Sequence, residues 1–219
     1  MKSHPTSKLA RTSADPRLSA RTPTQERAKA RVAAVLLEAE RMIVEGGVSS
    51  FSIPLLAERL GFPRATIYKF FPTPYAVFNE LALREVSGLE AHLLEVMQHV
   101  ASEAPWTTAL EVMVNAAAAY YGRHPVACAL LLGGPVTDGS YHALELSITR
   151  LGKLARRALE LRGLRLPRTT VDIGALTIEC GTSSFRLSYF LHGRITPAYR
   201  RAAIDAMSAY IERSLGLKR

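Results

Sequence analysis

The chain has 219 residues, of which 48% are apolar, and it carries a net charge of +9 at pH 7. This length and apolar fraction suffice for one large domain or two modest ones with a sizeable core, which excludes a wholly disordered protein. No segment reaches the roughly 18 uninterrupted apolar residues that span a bilayer, and the amino terminus lacks an apolar signal core, so we expect a soluble, cytoplasmic protein without a membrane partner.

Residues 1–21 form a basic tail with few large apolar side chains. This composition cannot offset the entropy of ordering a chain, so we expect disorder. Two interpretations remain open, an arm that follows the DNA backbone and a solubilising tail. Thr22, Pro23 and Gln25 then match a capping box, and apolar residues at three- and four-residue spacing predict a first helix that stops at Gly46.

Residues 55–72 have the pattern of a helix-turn-helix. A short apolar helix breaks at Gly61, the residue type that best tolerates positive φ, and a second short helix begins after Pro63. Ile67 and Phe70 lie three apart and can both face inward. The side chains left facing outward are Arg64, Ala65, Thr66, Tyr68 and Lys69. These residue types contact base edges and phosphates, although the spacing alone is equally typical of ordinary helical packing.

The residue identities in this stretch resemble the TetR family of bacterial transcriptional regulators, whose amino-terminal domain carries a similar Ala-Glu-Arg-x-Gly and Arg-Ala-Thr-x-Tyr pattern. The residues that match in register are Ala57, Glu58, Arg59, Gly61, Arg64, Ala65, Thr66, Tyr68, Phe71 and Pro72. The resemblance implies that the outward residues of the second helix bind DNA and that the Ser52 hydroxyl, a plausible helix cap, meets a phosphate. Pro63 departs from the pattern by replacing a capping Ser or Thr, Pro74 replaces a Lys that reaches a phosphate, and Tyr75 replaces an acidic residue.

Six further helices are predicted after this stretch, over residues 75–100, 106–123, 126–132, 141–162, 170–192 and 197–215. The chain is therefore predicted to be all-α with about nine helices. We expect three parts: the tail at residues 1–21, a helix-turn-helix domain at residues 22–73, and a ligand-binding and dimerisation domain at residues 74–219. By resemblance, the last two helices pair with their copies in a second subunit.

Catalytic, cofactor and metal sites are not indicated. The chain has no GxSxG, HExxH or phosphate-binding glycine loop after a strand, so we expect neither an enzyme nor a cofactor. His92 and His99 share a helix face with Glu95 but lie two turns, about 10.5 Å, apart, too far to ligate one ion. Cys128 and Cys180 lie among apolar or small residues and are expected to be buried thiols.

The resemblance also implies a pocket for a small-molecule effector among the middle helices. Candidates that supply aromatic walls or polar groups are Trp106, Met113, Tyr120, Tyr121, Cys128, Glu179, Phe185 and Tyr189, each of which is also explicable as core or interface packing. Glu179 needs a partner if buried, either Arg186 or a ligand group.

The sequence thus favours a homodimeric, ligand-responsive repressor that a small molecule releases from a near-palindromic operator in double-stranded DNA. The alternative is a non-specific architectural DNA-binding protein.

Overall fold

The computed structural model of the chain describes residues 19–20, 26–133, 138–167 and 169–217. In this part of the chain the secondary structure is helical and contains no strand, which confirms the all-α prediction. The helices are α1 (Glu26–Gly46), α2 (Ile53–Leu60), α3 (Arg64–Tyr68), α4 (Pro74–His99), α5 (Trp106–Arg123), α6 (Pro125–Ala127), α7 (Asp138–Glu160), α8 (Ile173–His192) and α9 (Pro197–Leu215).

Helix boundaries follow the sequence signals, with three differences. The α7 helix runs from Asp138 to Glu160 instead of over the predicted residues 141–162. The α8 helix begins at Ile173 rather than near Thr170, because the Asp172 side chain accepts a hydrogen bond from the Ala175 amide at 3.1 Å and caps the helix there. After α6, residues Cys128–Leu132 continue as a π-helical segment instead of the expected regular helix. The basic tail, apart from residues 19–20, and the capping box at residues 22–25 lie outside the described residues.

The long helix α4 belongs to two parts of the core. Near its start, Phe78 packs edge to face on Phe51 with ring centroids 5.0 Å apart, and Val77 is fully buried in the same cluster. Further along, Leu89 and Leu93 are buried against α5 and α7. Because a 26-residue helix is about 39 Å long, α4 is one rigid element that connects the two regions.

The carboxy-terminal helices are packed tightly, with α8 lying against both α7 and α9. Where α7 meets α8, a Cβ atom on Gly152 would lie 2.7 Å from the Ala175 backbone nitrogen, and one on Gly174 would lie 2.7 Å from the Gly152 carbonyl oxygen. The two backbones can therefore approach only because both positions are glycine. No helix of the described residues is long and apolar enough to cross a membrane.

Candidate functional site

The turn between α2 and α3 is closed by backbone hydrogen bonds around Gly61. This glycine has φ 63°, and its amide donates to the carbonyls of Ala57 and Glu58. The next amide, that of Phe62, donates to the Ala57 carbonyl at 3.0 Å. The α3 helix then begins at Arg64 behind Pro63, which occupies the cap position without a side-chain hydrogen bond. The Ala57 and Glu58 carbonyls of the last turn of α2 are thus satisfied within the turn.

The short helix α3 is anchored from one side and open on the other. Ile67 is fully buried, and Phe70 and Phe71 directly after the helix are buried with it. The outer face carries Arg64, Ala65, Tyr68 and Lys69, which are exposed, and Thr66, which is half-buried. The side chains that sequence reasoning assigned to DNA contacts are therefore grouped on one accessible face, and their contacts with DNA stay a prediction.

Two hydroxyl side chains cap the helices that flank this unit. Ser52 accepts a hydrogen bond from the Leu55 amide at 3.3 Å and caps α2. Thr73 accepts one from the Ala76 amide at 3.2 Å and caps α4, with Pro74 in the first turn. Sequence reasoning missed the Thr73 cap, although a Thr-Pro pair at a helix start is the available signal.

Arg59 joins the end of α2 to α1 through two ion pairs. Its Nη1 atom lies 2.7 Å from Glu45 Oε2 and 3.3 Å from Glu38 Oε1. These carboxylates hydrogen-bond the guanidinium and raise the Arg59 pKa further. Arg59 matches the family pattern, and its ion pairs with Glu38 and Glu45 hold α2 against α1.

A polar cluster lies where α1 meets α4 and α5. The Tyr120 hydroxyl donates to Glu85 Oε2 at 2.9 Å, and the Tyr120 ring stacks on the His124 ring at 3.9 Å. His124 Nδ1 in turn lies 3.5 Å from the same Glu85 oxygen. Burial, followed by the nearby Glu85 charge, raises the pKa of Glu40 on α1. Sequence reasoning missed this cluster, because Glu40, Glu85 and Tyr120 are at least 35 positions apart in the chain.

An apolar cavity of about 100 Å³ lies among α4, α5, α7, α8 and α9. Four of the eight predicted pocket residues line it: Trp106, Met113, Tyr121 and Phe185. Tyr121 and Phe185 pack edge to face at one end, with ring centroids 6.2 Å apart. The lining includes one charged side chain among the described residues, that of Arg162.

The other four predicted pocket residues lie outside this lining. Tyr120 belongs to the polar cluster, and the Cys128 thiol donates to the Tyr121 carbonyl at 3.3 Å. Burial raises the Cys128 pKa to about 11 and also raises that of Tyr189, which packs half-buried against the core.

Sequence reasoning left open whether Glu179 pairs with Arg186 or with a ligand group, and in the structure it pairs with Arg186. Its Oε1 atom lies 3.5 Å from Arg186 Nη1, so the two side chains form an ion pair along α8. The other Glu179 oxygen, together with Nε and Nη2 of Arg186, is buried without a hydrogen-bond partner. A ligand is therefore not needed to neutralise Glu179.

The structure also bears on the two cysteines, which were expected to be buried, and on the histidines that were considered as metal ligands. Cys128 is buried, but Cys180 is only half-buried, because it lies at the edge of the core-facing side of α8. Among the described residues no group of His, Cys, Asp and Glu is arranged to hold a metal ion. The His99 ring nitrogen Nδ1 instead lies 2.8 Å from the Glu95 carbonyl oxygen.

A helix, a left-handed glycine turn and a second helix with an exposed basic face form a helix-turn-helix motif. Residues 35–81 match the model of the bacterial regulatory proteins of the tetR family. The match confirms, for residues 35–81, the resemblance to the TetR family seen in the sequence. No curated protein sequence matches the chain.

Solved structures share the fold at low sequence identity. A TetR-family transcriptional regulator from Streptomyces coelicolor is 17% identical, with a TM-score of 0.62 over 86% of this chain and 99% of that one. Thermus thermophilus FadR, a TetR-family repressor solved in complex with lauroyl-CoA, is 16% identical, with a TM-score of 0.63 over 86% and 96%. A TetR-family regulator from Shewanella sp. PV-4 is 15% identical, with a TM-score of 0.59 over 84% and 97%.

Proposed function

We propose that this protein is a homodimeric repressor that binds a near-palindromic operator and is released from it by a small apolar effector. Residues 22–73 would read the DNA, and residues 74–219 would dimerise and bind the effector. The observation that carries the proposal is the outer face of α3, where Arg64, Ala65, Tyr68 and Lys69 are exposed around one buried anchor, Ile67.

The chemistry of this face fits readout in the major groove. Arg64, at the start of α3, offers a donor fork that matches the O6 and N7 atoms of guanine, and the Ala65 methyl suits the methyl group of thymine. Lys69 and the Tyr68 hydroxyl can donate to phosphate oxygens and fix the register of the helix. The Ser52 hydroxyl, which caps α2, would meet a phosphate at the amino terminus of that helix.

An exposed apolar stripe on α8 supports the homodimer. Leu176, Leu187 and Phe190 recur on one side of the helix, and Phe190 is 79% exposed. The neighbouring face of α9 carries exposed alanines at Ala202 and Ala206, which allow close helix approach. A second copy of the chain would bury these side chains in a four-helix interface, and two-fold symmetry would place two α3 helices in successive major grooves.

The cavity supports the effector part of the proposal. Its lining includes Leu89 and Leu93 of α4, and the same helix is built into the core of the helix-turn-helix through Val77 and Phe78. A ligand that prefers one tilt of α4 would therefore change the spacing of the two α3 helices, by as much as its affinities for the two arrangements differ. Thermus thermophilus FadR, which shares this fold, was solved in complex with lauroyl-CoA, whose lauroyl chain is apolar.

The test is selection from a randomised pool of double-stranded DNA at fixed salt. We expect a two-fold-symmetric motif with half-sites about one helical turn apart. Arg64→Ala should then lose about 1–3 kcal/mol on that motif and relax one base preference, whereas Lys69→Ala should weaken binding to all sequences and flatten the salt dependence.

Two outcomes would contradict the proposal. Salt-sensitive binding without an enriched motif would favour the architectural alternative, since phosphate contacts alone carry no sequence information. An equal loss on specific and random DNA for Arg64→Ala would show that this side chain does not read a base.

A further inference from the structure

The charge distribution of the cavity limits the ligands that it can take. Its described lining contains no carboxylate, and its one charged side chain is the Arg162 guanidinium. The remaining polar groups are hydroxyls, the indole nitrogen of Trp106 and the thioether sulfurs. The Thr177 hydroxyl already donates to the Ile173 carbonyl at 2.7 Å. A buried organic cation would find no counter-charge here.

The cavity is long and narrow. Its lining residues on α5 extend from Trp106 to Tyr121, which corresponds to about 22 Å along the helix axis. The cavity is partly open to solvent, and its free volume is about 100 Å³. A small volume distributed over four helical turns fits an unbranched chain better than a fused ring system.

Arg162 lies at the Trp106 end of this cavity. Its Nε atom donates to the Ala104 carbonyl at 3.1 Å, two residues before Trp106, and Nη2 donates to the Ala101 carbonyl at 3.1 Å. Nη1 donates to the Ala158 carbonyl at 2.9 Å. A guanidinium has five N–H donors, so two remain available, and none of the described carboxylates forms an ion pair with it. The fixed, uncompensated charge is suited to an anionic head group.

We propose, as a refinement that rests on the effector site proposed above, that the cavity binds an unbranched alkyl chain whose anionic head group lies at Arg162, and that it rejects organic cations. The chain would run along α5 toward the Tyr121 and Phe185 rings, where the lining is closed by aromatic packing. Specificity would then come from the one charge at the end of an otherwise apolar channel.

The test uses the single tryptophan of the chain, Trp106, which lines the cavity and reports binding by its fluorescence. The purified full-length protein is titrated without DNA with three probes of equal chain length, octanoate, 1-octanol and octylamine, and calorimetry checks for one site per subunit. We expect octanoate to bind at least about tenfold more tightly than octylamine, because one charge-assisted hydrogen bond contributes this much.

Variants separate a head-group role of Arg162 from a purely structural one. In Arg162→Gln, octanoate should bind no more tightly than octanol, while octanol affinity should stay within about twofold of wild type. Arg156→Gln is the matched control, because Arg156 lies six residues earlier, on α7, and donates to the Leu166 carbonyl at 3.2 Å but does not line the cavity. It should leave the order of the three probes unchanged.

Octylamine binding as tightly as octanoate, or no binding of any probe, would overturn the inference. If Arg162→Gln fails to fold, the wild-type order of the three probes decides alone, and Arg162→Lys provides a variant that keeps the charge and should keep the preference for octanoate. The outcome is separable from the proposed function, because the titrations contain no DNA. The expected order without release of operator DNA would refute ligand-controlled repression while leaving the ligand class intact.

Discussion

The α3 helix depends on one buried side chain for its position. The α3 helix has five residues, far fewer than the 12–15 or so that an isolated helix needs in water, so packing must hold it in place. Ile67 is its one buried residue and has no exposed surface. Ile67→Ala removes three carbon atoms, worth about 2.4 kcal/mol at roughly 0.8 kcal/mol each, and the cavity left behind brings the expected loss to about 3 kcal/mol.

Hydrogen exchange at the Phe71 amide measures this loss locally, because that amide donates to the Ile67 carbonyl at 2.8 Å. We expect its free energy of opening to fall by about 3 kcal/mol in Ile67→Ala and by about 1 kcal/mol in the control Ile67→Val, which removes one carbon. Losses below about 1 kcal/mol in Ile67→Ala, or equal losses in the two variants, would show that α3 is held by other contacts.

Three further predictions concern the cap, the polar cluster and the α8 surface. Thr73→Ala should destabilise α4 by about 1 kcal/mol in urea unfolding, whereas Thr108→Ala, on the exposed side of α5, should not. Burial and Glu85 raise the Glu40 pKa, so folding stability should fall as the pH rises above 4.5, the ordinary pKa of a glutamate. Glu40→Gln should remove this pH dependence and raise stability at pH 7 by no more than about 0.5 kcal/mol. Phe190→Glu should yield monomers in analytical ultracentrifugation, and a retained dimer would move the interface elsewhere.

The pH prediction follows from the proton balance of Glu40. A raised pKa means that the folded state binds more protons than the unfolded state between the ordinary and the raised value, so stability is highest below that window and declines through it. The charges that face Glu40 are Glu85, Arg84 and His124, and the two cations partly offset the effect of Glu85. A pH profile unchanged by Glu40→Gln would assign the slope to another group.

The helix-turn-helix could be predicted from the sequence because its determinants are local. Gly61 marks the turn through its backbone conformation, and Ile67 and Phe70 face inward because they are three residues apart on one short segment. A helix end can also be predicted where a capping side chain precedes proline. Thr196 and Pro197 are such a pair, and the predicted range of α9 matches the structure.

The cavity could be predicted only in part, because its lining depends on how helices rotate against each other. Tyr120 and Tyr121 are adjacent and alike in composition, yet successive side chains on a helix point about 100° apart. Tyr121 therefore lines the cavity, while Tyr120 reaches Glu85, 35 positions earlier in the chain. The close approach of α7 and α8 at Gly152 and Gly174 is likewise a pairing between distant segments. The spacing of apolar residues within one helix does not show which distant segment packs against it.

Under the proposed function, the effector would act at a distance through α4. The cavity touches α4 at Leu89, and about 18 Å nearer its start the same helix is buried in the helix-turn-helix core at Val77. A tilt of about 5° around Leu89 would displace Val77 by about 1.6 Å, because a rigid helix of this length acts as a lever. The Glu85–Tyr120 hydrogen bond lies between these two points and resists that tilt. Under the proposed function, a ligand that shifts the packing of Tyr121 would change how Tyr120 holds α4, without contacting the outer face of α3.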